Sequence, residues 1–401
     1  MRTRSAFLLA LLTAPLATAQ TWTTRAPLAT ARAGAAAAVY DGELWVAGGE
    51  TAPGQVLRSV ERYDPATDTW TPGPALREAR ADAALIPFDG TLLLIGGVDD
   101  EGDPIDDVER YDPDDDRWES FSSLNAARRG LVAFSLPGYG PFAMGGLDAA
   151  GSFRADCEAL DNGDWYPYPT WSLSSARASL AVATVGSDAY VSGGFTAFGP
   201  TGAVERLRAD GSQATLPDLL PARGSHAMES VGSYLYVAGG RDAQDALLAD
   251  AYRLDVTGGG WEPVAALPGP RERVAAASLD GRVYLAGGSG PGGVLREVVA
   301  LDATKVDAEA APDAARFALG APAPNPTRGR STLLLHLDRA ADVDLALFDL
   351  AGRRVRTLAV GPYGAGPSAV SFRTDGLAPG VYAARLQADG RAAVQLVTVV
   401  R

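Results

Sequence analysis

The chain has 401 residues, 47% hydrophobic and 21% charged, enough apolar material for a large core and for more than one domain. Its net charge of −14 argues against an electrostatic grip on nucleic acid or anionic lipid. A single cysteine, Cys157, excludes an intramolecular disulfide, and two histidines, His226 and His336, leave no Cys/His set for zinc.

Residues 1–19 open with Arg2 and Arg4, continue through an apolar run from Ala6 to Leu12, and close on Ala17-Thr18-Ala19 before Gln20. That order of basic, apolar and small residues predicts a secretory signal peptide and a mature chain starting at Gln20. The apolar run is too short to span a bilayer, and no later stretch approaches the ~20 consecutive apolar residues that a transmembrane segment needs.

From 20 to about 304 the sequence repeats. Glycine pairs stand at Gly48-Gly49, Gly96-Gly97, Gly145-Gly146, Gly193-Gly194, Gly239-Gly240 and Gly287-Gly288, spaced by 46 to 49 residues. Three places before each pair sits a bulky residue in a β-prone run: Trp45, Leu93, Phe142, Tyr190, Tyr236 and Tyr284. Sixteen places before each pair stands an arginine, in turn Arg32, Arg80, Arg129, Arg177, Arg223 and Arg271, usually with a leucine four residues earlier. A polar loop follows each pair, then a run such as Val60-Glu61-Arg62-Tyr63-Asp64 or Val108-Glu109-Arg110-Tyr111-Asp112, and typically a tryptophan (Trp70, Trp118, Trp165, Trp261).

Four short strands per repeat predict an all-β chain built from β-propeller blades. The repeats resemble the kelch family, with its paired glycines, preceding aromatic, Tyr-Asp and Trp. The resemblance implies a six-bladed propeller over 20–304. Trp22 has the spacing of Trp70 to the following leucine and arginine, whereas the sixth unit lacks a tryptophan strand after Asp302. The N-terminal strand is therefore expected to complete the sixth blade.

Residues 305–316 read as an Ala/Asp/Glu-rich linker, and 317–401 as closely spaced strands of a small immunoglobulin-like sandwich. Within them, Pro324-Asn325-Pro326, Asp349-Leu350-Ala351-Gly352-Arg353 and Leu377-Ala378-Pro379-Gly380-Val381-Tyr382 resemble the type A sorting domain of type IX secretion substrates. That resemblance implies the secretion machinery as a partner and an outer-surface or secreted location.

Three residue sets are candidates for function. The six repeat arginines could form a cationic channel mouth for a carboxylate or sulfate, although in kelch repeats this arginine belongs to the scaffold. The residues after them, Ala33, Ala81, Gly130, Ala178, Gly224 and Glu272, are mostly small. Glu272 and Arg273 are further mouth candidates. A second set, Tyr166, Tyr168, Trp171, Phe195 and Phe198, has no counterpart in the repeat and predicts a binding patch between blades three and four, with Trp171 as anchor. The third, an acidic run from Asp99 to Asp116, matches no calcium-loop spacing and reads as solvated loops.

No catalytic or metal set emerges and no cofactor is expected. Copper oxidase chemistry of the galactose-oxidase kind would need more imidazoles than the propeller has. The expected function is extracellular binding of a glycan or protein. The alternative is a carbohydrate-active enzyme of the kelch mutarotase or epimerase type.

Overall fold

The computed structural model describes residues 20–304, 318–319, 327–337, 339–349, 353–364, 366–389 and 391–400. The expected signal peptide, the linker, Pro324-Asn325-Pro326 and Leu350-Ala351-Gly352 lie outside the described residues. The chain divides into two compact units after Val306. Among the described residues both are built of strands, with no helix.

The first unit is a propeller of six four-stranded antiparallel sheets. Blade one is typical: Ala36–Tyr40, Glu43–Ala47, Val60–Asp64 and Thr69–Gly73, joined in that order. Its second strand is covered on both faces, with Leu44, Trp45, Val46 and Ala47 all buried, which is why this run is apolar without alternation. The bulky residues three places before the glycine pairs, from Trp45 to Tyr284, are at most 4% exposed and fill the layers between blades.

The glycine pairs have a steric cause. A Cβ on the first glycine would meet the carbonyl oxygen of the next blade's arginine, at 2.4 Å from Arg80 for Gly48 and 2.3 Å from Arg32 for Gly287. The second glycine's N–H donates to that same oxygen, as in Gly49 to Arg80 at 2.9 Å and Gly288 to Arg32 at 2.9 Å. Both glycines have positive φ throughout the series, so a side chain there would add strain to the clash.

The ring closes as the spacing of Trp22 predicts. Trp22–Arg25 pairs antiparallel with Val298–Asp302, Trp22 opposite Leu301, and completes the sheet of Ala275–Leu279 and Arg282–Ala286. The tryptophan contacts run through this joint. Trp70 Nε1 donates to Ala26 O, Trp118 Nε1 to Pro74 O and Trp261 Nε1 to Pro217 O, and Trp22 Nε1 donates to Ala265 O at 2.7 Å.

The second unit is a two-sheet sandwich. One sheet holds Ala318–Leu319, Arg330–Leu337 and Gly366–Arg373, and the other Arg354–Tyr363, Ala341–Phe348, Gly380–Ala388 and Arg391–Val399. Alternate residues of both sheets, among them Leu333, Leu335, Leu345, Leu347, Leu386 and Val397, meet in one core. Tyr382 Oη donates to Ala378 O at 2.7 Å, the tyrosine corner of immunoglobulin-like folds, which gives the Leu377–Tyr382 motif a structural role.

Candidate functional site

Five of the six repeat arginines are not at the channel mouth, and only Arg129 lines it. Arg32, Arg80, Arg177 and Arg223 are at most 1% exposed and Arg271 5%, all inside the blades. In blade three the corresponding residue is Arg128, at 0% exposure, and not Arg129. Gly97 N–H bonds Arg128 O at 3.0 Å, as Gly49 N–H bonds Arg80 O. Leu28, Leu76, Leu124, Leu173, Leu219 and Leu267, all buried, each stand four residues before the buried arginine, so the spacing from Leu124 identifies Arg128.

Each buried arginine in blades one to four meets a buried glutamate on the third strand. The pairs are Arg32–Glu61 at 2.6 Å, Arg80–Glu109 at 2.7 Å, Arg128–Glu158 at 2.5 Å and Arg177–Glu205 at 2.7 Å. The glutamates also accept backbone N–H bonds from the incoming loop, as Glu61 does from Ala29 and Thr30 and Glu109 from Arg77 and Glu78. Buried charge is tolerable only when so compensated, and these residues brace loop to strand. In blade five Tyr252 stands at the glutamate's place, and Asp250, just before the strand, takes over the ion pair at 2.6 Å from Arg223. Blade six has Val299 at the equivalent place, and Arg271 Nε and Nη1 have no hydrogen-bond partner among the described residues.

The channel is organised one and two residues later. Gly34, Asp82, Gly130, Ser179, Ser225 and Arg273 all adopt left-handed φ between 52° and 63°. Each donates its N–H to the carbonyl of its counterpart in the preceding blade: Asp82 to Gly34, Gly130 to Asp82, Ser179 to Gly130, Ser225 to Ser179, Arg273 to Ser225 and Gly34 to Arg273, at 2.7–2.9 Å. This closed ring of six backbone bonds forms the neck of the channel. Four non-glycine residues in a costly conformation are held there by a ring that fixes them from both sides.

Above the neck opens a mouth of about 500 Å3, lined by loops that follow the glycine pairs and loops that enter each blade. Its two sides differ. On the side of blades one and two stand Glu50, Asp82 and Asp99. On the side of blades three and four stand Arg129, Leu147, Phe153 and Phe195. Arg273 is committed to the acidic side: Nη1 donates to Glu50 Oε1, and Nε and Nη2 donate to Asp82 Oδ1, the latter at 2.9 Å. Burial works against its charge, but Asp82 and Glu50 outweigh it and raise its pKa. Asp82 Oδ2 and Glu50 Oε2 have no hydrogen-bond partner among the described residues. Glu272, 6% exposed, is held by a two-pronged bond from Arg241 and does not line the mouth.

The aromatic set does not form one patch. Trp171, the expected anchor, is 1% exposed and packs on Phe134 and Phe142, with ring centroids 4.7 Å apart from the latter. The cause is a slip in the outer hairpin of blade three: Asp156 pairs with Ser172 but Glu158 with Pro167, so 168–171 loop out and fold back over the blade. Tyr168 packs on Phe142 and Trp171, and Tyr166 is exposed on the same outer strand, at the perimeter. Phe195 lines the mouth with its ring against Gly224, and Phe198 stands fully exposed at the tip of the hairpin pairing Phe195–Thr196 with Gly199–Pro200.

Other reactive residue types are accounted for locally. Asp99 Oδ1 accepts the N–H groups of Glu101 and Asp103 within its own loop, and Asp148 and Asp242 do the same in blades three and five. Cys157 is buried in core, which raises its pKa. His226 bonds Ser192 Oγ at 2.8 Å, and burial, with Arg223 and Arg177 nearby, holds its pKa down to about 3. Further along the first strands a channel cavity of about 220 Å3 is lined by Ser135, Thr184, Ser230, Ser278 and Glu229. Burial raises the Glu229 pKa to about 7, against hydrogen bonds from Ser278 that favour the charged form.

Residues 31–77, 79–125 and 222–268 match the Kelch motif, each spanning one repeat. No curated protein matches the chain. A solved structure titled "Structure of YjhT" superposes with a TM-score of 0.59 at 17% identity, over 68% of this chain and 96% of that one, a likeness of fold alone. The chain thus carries Kelch motifs on a six-bladed kelch-type β-propeller, followed by an immunoglobulin-like sandwich.

Proposed function

We propose that the protein is a secreted or cell-surface propeller that binds a glycan at the channel mouth and is exported by type IX secretion through its C-terminal domain. The observation that carries the binding reading is the make-up of the mouth. Among the described residues Glu50 and Asp82 each keep one carboxylate oxygen unbonded, on a cavity whose other side carries Phe153 and Phe195. Carboxylates accept hydroxyl hydrogens and flat aromatic faces stack on the C–H face of a sugar ring, so the two sides suit the two kinds of sugar surface. The cavity volume fits a mono- or disaccharide better than a protein segment.

The export reading is supported by the basic, apolar and small residues of 1–19 and by the three motifs of the C-terminal domain. A glycan array probed with the full-length protein tests binding, and Glu50→Ala with Asp82→Ala should abolish any signal. Mass spectrometry of terminal peptides tests export: released protein should begin at Gln20 and lack most of 317–401.

A further inference from the structure

Arg129 is the residue by which blade three departs from the other five. At the place that pairs with the residue after the glycine pair, the other blades carry Ala33, Ala81, Ala178, Gly224 and Glu272, and blade three carries Arg129, bridged to Leu147. Glu272 is neutralised by Arg241 and lies off the mouth. Arg129 lies in the mouth, half-buried, and its guanidinium has neither ion pair nor hydrogen bond among the described residues. Arg273, the other guanidinium of the mouth, is taken up by Glu50 and Asp82.

The surroundings of Arg129 sharpen its chemistry. Leu147 and Phe153 flank it on its own blade and Phe195 on the next, so water competes poorly for its donors and a bound anion is held more firmly there than on open surface. The guanidinium presents parallel N–H donors that match a planar carboxylate. Across the mouth stand Glu50, Asp82 and Asp99, and the whole chain carries −14, so a polyanion is repelled where a single negative charge on the Arg129 side is not.

We propose that Arg129 makes the mouth selective for acidic sugars: its free guanidinium takes the carboxylate of a singly charged residue such as a hexuronate, while the ring hydroxyls face Glu50 and Asp82. This rests on the reading of the mouth as a glycan site.

The test is calorimetric titration of the full-length protein with glucuronate, its uncharged amide glucuronamide, glucose and glucose 6-sulfate. Glucuronate should bind at least tenfold more tightly than the amide or glucose. Arg129→Ala, which gives blade three the residue of blades one, two and four, should remove most of that preference and leave the melting temperature unaltered. Arg129→Lys should retain part of it, since the charge stays and the fork is lost. Equal binding of glucuronate and glucose overturns the proposal and leaves the glycan reading standing. Tighter binding of the sulfate overturns the choice of carboxylate. Failure of every sugar to bind overturns the proposal and the glycan reading together. An Arg129→Ala protein that is folded and binds glucuronate as the wild type does overturns the assignment to Arg129.

Discussion

Arg128 and Arg129 are adjacent in the chain and belong to two different regions. Arg128 lies in the blade interior, fully covered, with Glu158 and Asp156 on its guanidinium. Arg129 lies in the channel mouth with its guanidinium unpaired among the described residues. The interior solves a problem of loop geometry with buried charge and does so five times with a carboxylate; the mouth varies from blade to blade because nothing in the ring requires a particular side chain there. What the repeat holds constant is scaffold, and what it varies is where a ligand can be distinguished.

Within the interior, blades two and six give the sharpest contrast. Removing Arg80 by Arg80→Met strands Glu109, 0% exposed, inside the protein and should cost about 3–5 kcal/mol. Arg271→Met strands no carboxylate on the third strand, since Val299 stands there, and should cost about 1 kcal/mol or less. Denaturant titration of the two variants checks the difference, and equal costs would mean that the glutamate contributes little.

Ring closure predicts the next largest effect. Trp22 and Trp70 are both half-buried and both donate to the carbonyl just past a neighbouring fourth strand, at 2.7 and 2.8 Å. Trp22→Ala and Trp70→Ala should each lower stability by about 2–3 kcal/mol, although one sits at the chain's first described strand. A Trp22→Ala protein as stable as the wild type would show that the first strand only covers an otherwise complete blade.

The smaller effect is pH-dependent. The carboxyl of Glu229 titrates near 7 in the fold against an ordinary value near 4.5, so its contribution to stability is fully present below about pH 4.5 and is lost as pH rises through 7. Glu229→Gln keeps an oxygen for Ser278 and removes the charge. It should match the wild type at pH 4.5 and exceed it at pH 8 by on the order of 1–3 kcal/mol. Melting curves at the two pH values decide it, and a destabilised variant at pH 8 would show that the ionised form is the one the channel prefers.

The propeller was legible because its constraints are local and repeated. Each Gly-Gly pair is forced by one carbonyl, each aromatic by one interblade layer, and Trp22 by one missing strand. The arginine register is ambiguous in blade three because Arg128-Arg129 offers two candidates and the spacing to the glycine pair there is one residue longer; Leu124 carries the correct register. The site was less legible. Arg129, Phe195 and Arg273 do reach the mouth, but nothing in the sequence says that Trp171 loops back over its own blade, since that follows from a slipped pairing between Asp156 and Glu158. Glu50 and Asp82 carry no signal in the sequence because they become neighbours only when the ring brings blade six, with Arg273, round to blades one and two.

The most direct measurement compares thermal unfolding of Arg128→Ala with that of Arg129→Ala in the full-length protein. The account predicts a loss of several kcal/mol for Arg128→Ala, which leaves Glu158 buried without its partner, and a melting curve for Arg129→Ala that overlays the wild type. Equal destabilisation of the two, or a greater loss for Arg129→Ala, would contradict the division between scaffold arginines in the blades and a ligand-facing arginine in the mouth.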